Sequence, residues 1–121
     1  MIPLTPAPSL SGQLLHKFRL DIIHGKYPPG SQFPTVRTLA YAESVNPNTV
    51  QKTLSLLEQD GLLIAQSTKG RFVTEDAEAI RRIALLLQAE YLDAVRQGAR
   101  ELGISKQQFM QFLQESEDSL L

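Results

Sequence analysis

At 121 residues, 42% of them hydrophobic, the chain is one domain or a small domain with an appendage, with enough apolar content for a core. The absence of cysteine excludes a disulfide frame and a thiolate metal site. The formal charge of −1 is not that of an obvious nucleic-acid binder, but it is unevenly laid: residues 1–75 hold seven Lys/Arg against five Asp/Glu, and residues 76–121 hold five against eight. A mildly basic front and an acidic rear fit a DNA-facing half followed by a partner-facing half.

Residues 1–8 carry three prolines and no periodicity, and read as a loose arm. They lack the basic and apolar regions of a signal peptide, and the densest apolar patch, Ile83 to Leu87, is far too short to span a bilayer. A cytoplasmic protein with no membrane partner is expected. From Ser9 to His24 the residues Leu10, Leu14, Leu15, Phe18, Ile22 and Ile23 recur at helical spacing, and Gly25 is a natural stop. Lys26-Tyr27-Pro28-Pro29-Gly30 is turn chemistry, and Gln32-Phe33 can form a short edge strand. A second helix is expected from Thr35, its N-cap, to Glu43, with Val36, Leu39 and Ala40 inward and Arg37 and Thr38 outward.

Ser44-Val45 then leads into a third helix. Asn46 can cap it and Pro47 fits its first position, where the missing N–H costs nothing. This helix should bury Val50, Leu54 and Leu57 and stop at Gly61. Its front displays Asn48, Thr49, Gln51 and Lys52, all hydrogen-bonding side chains near a helix N-terminus, a composition suited to the major groove. Two helices joined by so short a turn form a helix-turn-helix unit. The β-prone runs 62–66 and 71–74, around a tip of Ser67-Thr68-Lys69-Gly70, read as a hairpin, which makes the whole a winged helix-turn-helix. Lys69 and Arg71 can reach phosphates or the minor groove from there.

Asp76 to Leu102 reads as one long helix, roughly 40 Å at 1.5 Å per residue. Ile80, Ala84, Leu87, Tyr91, Ala94, Gly98 and Leu102 alternate in steps of four and three, a seam suited to a partner helix. Gly103 stops it. Ser105 with Gln108 makes a capping box for a short last helix carrying Phe109, Met110, Phe112 and Leu113, which can fold back on the long one. The acidic end from Glu115 is expected to fray. The fold class is therefore mainly α with a small β-hairpin wing: an arm (1–8), a winged helix-turn-helix domain (9–75) and a two-helix dimerisation segment (76–121).

The run Gly25 to Ala40, the segments Val45-Asn46-Pro47-Asn48-Thr49-Val50 and Leu57-Glu58-Gln59-Asp60-Gly61-Leu62, and the closing Lys69-Gly70-Arg71-Phe72-Val73 closely resemble the GntR family of transcriptional regulators. The Asn-Pro-Asn-Thr-Val form and the short segment after the wing are similar to its YtrA-like subfamily. The resemblance implies a bacterial homodimeric repressor, commonly of a transporter operon, with the C-terminal helices as dimerisation element. It places DNA contacts at Arg37, Asn48, Thr49, Gln51 and Gly70; with Thr35, Lys52, Lys69 and Arg71 these make up the expected DNA-facing set. The seam of the long helix and the apolar positions of the last one set the expected dimer interface at Ile80, Ala84, Leu87, Tyr91, Ala94, Leu102, Phe109 and Leu113. Departures are Gln51 and Thr68, which stand where the family often has a basic residue and a glycine, and Ser11-Gly12 in the first helix.

The expected partners are a near-palindromic double-stranded operator and a second copy of the chain. A small-molecule effector between the C-terminal helices and the winged domain is left open. No cofactor is expected. His16 and His24 lie eight apart with no carboxylate at ligand spacing, and no nucleophile–base pair or phosphate-binding glycine loop is present, so an enzyme is not expected. Two competing readings remain at this stage. Arg37 could be a surface partner of Glu43, and the winged helix could serve protein interaction without specific DNA binding.

Overall fold

The computed structural model describes residues 9–116; the expected arm at 1–8 and the end of the chain beyond Ser116 lie outside them. Among the described residues there are five α-helices and one two-stranded antiparallel hairpin. In chain order these are α1 (Leu10–Ile23), α2 (Val36–Glu43), α3 (Pro47–Gln59), β1 (Leu63–Ala65), β2 (Arg71–Val73), α4 (Ala77–Leu102) and α5 (Lys106–Glu115).

Each helix start has a polar cause. Ser9 Oγ accepts the Gly12 N–H at 3.2 Å, Thr35 Oγ1 accepts the Thr38 N–H at 3.2 Å, and Asn46 Oδ1 accepts the Asn48 N–H at 2.7 Å. Each bond satisfies a donor that has no partner within its own helix. Ser105 and Gln108 form the reciprocal capping box that opens α5. The turn from α2 to α3 is closed by Ser44, which adopts the left-handed conformation (φ 55°) while its N–H and that of Val45 return to carbonyls of α2. A residue with a Cβ sits there at a cost, because the Cβ crowds the following carbonyl.

The helix spacing seen in the sequence becomes one shared core. Leu14, Phe18 and Ile22 present one face of α1, and Leu39 and Ala40 present one face of α2. Both helices pack on α3, whose Val50, Leu54 and Leu57 are completely buried. Leu62, Leu63 and Val73 bring the hairpin into the same cluster, and Phe33 closes it, edge-on to Phe18 with ring centroids 5.6 Å apart. Two charged contacts lock the helices at their rims. Arg19 of α1 grips Asp60, the C-cap of α3, through a two-pronged pair at 2.7 and 2.8 Å. Lys17 of α1 donates to Glu43 of α2, a bond that raises the lysine pKa above its ordinary value.

The hairpin pairs Leu63 with Val73, Ile64 with Phe72 and Ala65 with Arg71. The expected edge strand at Gln32-Phe33 is realised as a single bridge, Gln32 to Phe72, flanked by Phe33 N–H to Arg71 O (2.8 Å) and Val73 N–H to Ser31 O (2.9 Å). The tip holds a feature that periodicity does not reveal: residues 67–69 form one 3₁₀ turn, entered through Ser67 at φ 49° and left through Gly70 at φ 104°.

The chain divides into two compact units, one ending at Leu87 and the other beginning at Gln88, so the break falls within α4. In the first, the core continues past the wing: Ala79 and Ile83 are buried, and Ile80 and Leu87 pack partly against it. In the second, Phe109 and Leu113 are half-buried, while Tyr91, Leu92, Leu102, Met110 and Phe112 are exposed.

Replacing Ser44 by glycine removes the left-handed penalty at an exposed turn. The variant is expected to gain roughly 0.5–1 kcal/mol of stability, net of the greater freedom of its unfolded chain. Urea denaturation checks this, and a lowered midpoint contradicts the account of the turn.

Candidate nucleic-acid interface

The buried stripe of α3 determines what its other side shows. With Val50, Thr53, Leu54 and Leu57 inward, the opposite face carries Asn48, Lys52, Ser55 and Gln59 in steps of four, three and four, with Gln51 beside them. Asn48, Gln51, Lys52 and Gln59 are exposed and Ser55 is half-buried. All five side chains carry hydrogen-bonding groups. Thr49 sits at the edge of this face, half-buried, and with Asn48 and Lys52 it lines a shallow hollow whose far wall is Ser9, Leu10 and Ser11 of the α1 start. Thr53, one turn on, is fully buried and returns its hydroxyl to the Thr49 carbonyl at 2.9 Å, so it belongs to the core.

The basic residues between Ser9 and Glu75 sort into two groups. Lys17 pairs with Glu43, Arg19 with Asp60, Lys26 with Asp21 and Arg71 with Glu58. Arg37, Lys52 and Lys69 make no ion pair among the described residues, and all three are exposed. They stand on the first turn of α2, the second turn of α3 and the wing tip. Arg37 is thus not the partner of Glu43, which Lys17 occupies. The paired cations are engaged within the fold, and the unpaired ones stand on the helix-turn-helix and the wing tip, the elements from which such a unit reaches phosphate.

Arg71 belongs to the first group. Its Nε lies against Glu58 Oε1 and the side chain is largely covered, tying β2 to the last turns of α3. Of the two wing residues singled out for charge, only Lys69 is uncommitted. Gly70 holds a backbone conformation essentially restricted to glycine (φ 104°, ψ −159°). Thr35 is engaged as a cap, its Oγ1 within 3.0 Å of Thr38 Oγ1 as well as accepting the Thr38 N–H.

Beyond Ser55 and Gln59, a further surface residue lies outside the sequence-derived set. Tyr41 of α2 is 90% exposed, one helical turn beyond Arg37 and on the same outward face. The spacing from Arg37 carried that signal, as the spacing from Asn48 carried Ser55 and Gln59.

Residues 10–73, which span this arrangement, match the model for bacterial regulatory proteins of the gntR family. The chain belongs to the GntR family. Among curated relatives it is 34% identical over 83 residues to the uncharacterized regulator YhcF of Bacillus subtilis, covering 69% of each chain. It is 31% identical over 80 residues to the transcriptional repressor YtrA of the same organism, covering 64% of this chain and 62% of YtrA. Among solved structures, a GntR family regulator from Listeria monocytogenes superposes with a TM-score of 0.84 at 24% identity, over 93% of this chain and 99% of that one. The DNA-binding domain of AraR, solved in complex with its operator ORR3, gives a TM-score of 0.52 at 28% identity, over 61% of this chain and 92% of that domain. The chain is therefore a GntR-family transcriptional regulator with a DNA-binding winged helix-turn-helix.

The division between paired and unpaired cations is measurable. Arg37→Ala, Lys52→Ala and Lys69→Ala should each flatten the dependence of log affinity on log salt by about 0.9, the value of one phosphate contact on duplex DNA. Arg71→Ala should leave that slope unchanged and lower thermal stability instead, because Glu58 loses its partner. Fluorescence anisotropy over a salt series checks the first expectation and calorimetry the second.

Proposed function

We propose that this regulator is a homodimeric, sequence-specific repressor that docks α3 in the major groove of an operator half-site. The observation that carries the reading is the exposed polar face of α3 between cations that the fold leaves unpaired. Asn48 and Gln51 are the base-reading candidates, since a side-chain amide can bond an adenine edge through two atoms at once. Lys52, Arg37 and Lys69 engage phosphates on either side, with Arg71 acting through Glu58 to hold the wing. Thr49 and the start of α1 approach the backbone beside the groove. Tyr41 continues the phosphate line of Arg37 along α2, its hydroxyl supplying a neutral donor.

In this reading residues 9–75 form the DNA-binding domain and 76–121 the pairing segment. The exposed Tyr91, Leu92, Leu102, Met110 and Phe112 give the second copy apolar side chains to cover. Ala84, Ala94, Phe109 and Leu113, half-buried in the single chain, complete the contact. Ile80 and Leu87, which already lean on the core of the winged unit, contribute their remaining surface. Two copies then read two half-sites about 34 Å apart, which calls for a near-palindromic operator. The similarity to YtrA, a repressor by its name, supports repression as the direction of control. A transporter operon is the target that the subfamily resemblance favours, a cytoplasmic location follows from acting on DNA, and occupancy is set by the concentration of the dimer.

The double variant Arg37→Ala/Gln51→Ala should lose selective retardation of the operator in a gel shift while still forming a dimer in sedimentation at micromolar concentration. Undiminished selectivity contradicts the assignment of these residues. A wild-type chain that sediments as a monomer contradicts the role given to the C-terminal helices.

A further inference from the structure

Lys69 stands at the end of a short turn, and something must hold that turn for its charge to matter. Within the wing, Lys69 N–H bonds Gln66 O at 2.8 Å and Gln66 N–H bonds Gly70 O at 2.8 Å, which closes the tip on itself. Neither bond fixes the tip relative to the rest of the unit. Beside the Arg71–Glu58 pair at the base of the wing, a link to the tip backbone itself comes from elsewhere in the sequence. Gln32, ahead of α2, donates from its side-chain Nε2 to the Lys69 carbonyl at 2.9 Å. The same nitrogen lies 3.1 Å from where a Cβ on Gly70 would fall, so the amide packs against the backbone of two successive tip residues. The backbone of Gln32 is itself fixed, because it bridges Phe72 of β2 next to the Phe33 N–H to Arg71 O bond.

Gln32 is otherwise unremarked by the fold. Its side chain is solvent-exposed, it is absent from the core cluster, and it caps no helix. An exposed glutamine ordinarily keeps its rotamer freedom, since ordering so long a side chain at the surface costs more than one hydrogen bond to water returns. Here its amide is held against a wing-tip carbonyl from a segment 37 residues away in sequence.

We propose that Gln32 is a positioning residue for the wing: it clamps the Lys69 carbonyl so that the Lys69 ammonium is presented to a DNA phosphate. This rests on the DNA-docking reading above and goes beyond it by naming what sets the wing. The clamp also gives Gly70 a second reason to be glycine, because a Cβ there would crowd the amide and push it off the Lys69 carbonyl, as well as strain the backbone. The tip carries a threonine, Thr68, where a more flexible glycine would let the wing find DNA by adjustment. A side-chain tether from Gln32 supplies order at the same place.

The test is a double-mutant cycle with Gln32→Met, which keeps the length and removes the donor, and Lys69→Ala. The probe is a fluorescent duplex that the wild-type chain selects from a randomised library, read by anisotropy across a salt series. Each single variant should weaken binding roughly fivefold and flatten the salt dependence by about one phosphate, and the double variant should be no weaker than either single one. Melting temperatures should stay at the wild-type value, since Gln32 buries no core surface. Additive losses, or a Gln32→Met variant with the wild-type salt slope, overturn the clamp while leaving DNA binding intact. Failure of the wild-type chain to select any duplex overturns instead the reading on which the clamp rests.

Discussion

The complete burial of one stripe of α3 is the constraint on which the rest depends. Val50, Leu54 and Leu57 have no access to solvent, and α1, α2 and β1 each pack on this helix. Residues on a helix cannot be turned independently, so fixing that stripe fixes the opposite one. The face carrying Asn48, Gln51, Lys52, Ser55 and Gln59 is outward because the core has taken the other side. Removing one of those leucines would cost several kcal/mol by leaving a cavity, and the display of the polar face depends on the same packing.

Electrostatics adds a second layer of specification. An ion pair at a surface contributes little to stability, but it removes a charge from the set available to a partner. Four of the basic side chains in the winged unit are committed in this way, and Arg19 with Asp60 and Arg71 with Glu58 both end on the last turn of α3 or its cap. The helix is thus pinned at its C-terminal end by charge and along its length by apolar contact. Its N-terminal end, with Asn46 as cap and Pro47 behind it, keeps its polar surface open. Of the thirteen acids in the sequence, Asp21, Glu43, Glu58 and Asp60 are paired with cations of this unit, while Arg37, Lys52 and Lys69 make no ion pair among the described residues.

Most of this was legible in the sequence, for reasons that differ by element. The helix starts at Thr35, Asn46 and Ser105 were readable because these caps act through bonds two or three residues away, and such local chemistry leaves a local pattern. The family resemblance added to the spacing argument which positions, such as Arg37 and Gly70, to expect at DNA. Other features are made by residues far apart. Arg71 and Lys69 look alike in a hairpin until Glu58, thirteen positions earlier, is found beside one of them. Gln32 was an edge-strand residue until its amide met the wing tip. The same limit applies to Ile80 and Leu87, whose heptad spacing described a seam, while their position on the helix also faces the core of the unit they belong to. Tyr41 was accessible to reasoning, since it follows Arg37 by one turn, but nothing in its immediate neighbours marked it as exposed.

The central claim is that one continuous face, built from α2, the front of α3 and the wing tip, meets DNA. The most direct measurement is a nuclear magnetic resonance titration of the isotopically labelled chain with a duplex it selects, at moderate salt. The account predicts shifts concentrated at Arg37 and Tyr41, along Asn48 to Ser55, and at Lys69 and Gly70, with α5 unaffected. Shifts confined to the C-terminal helices, or spread evenly over the surface with no response from α3, would contradict it.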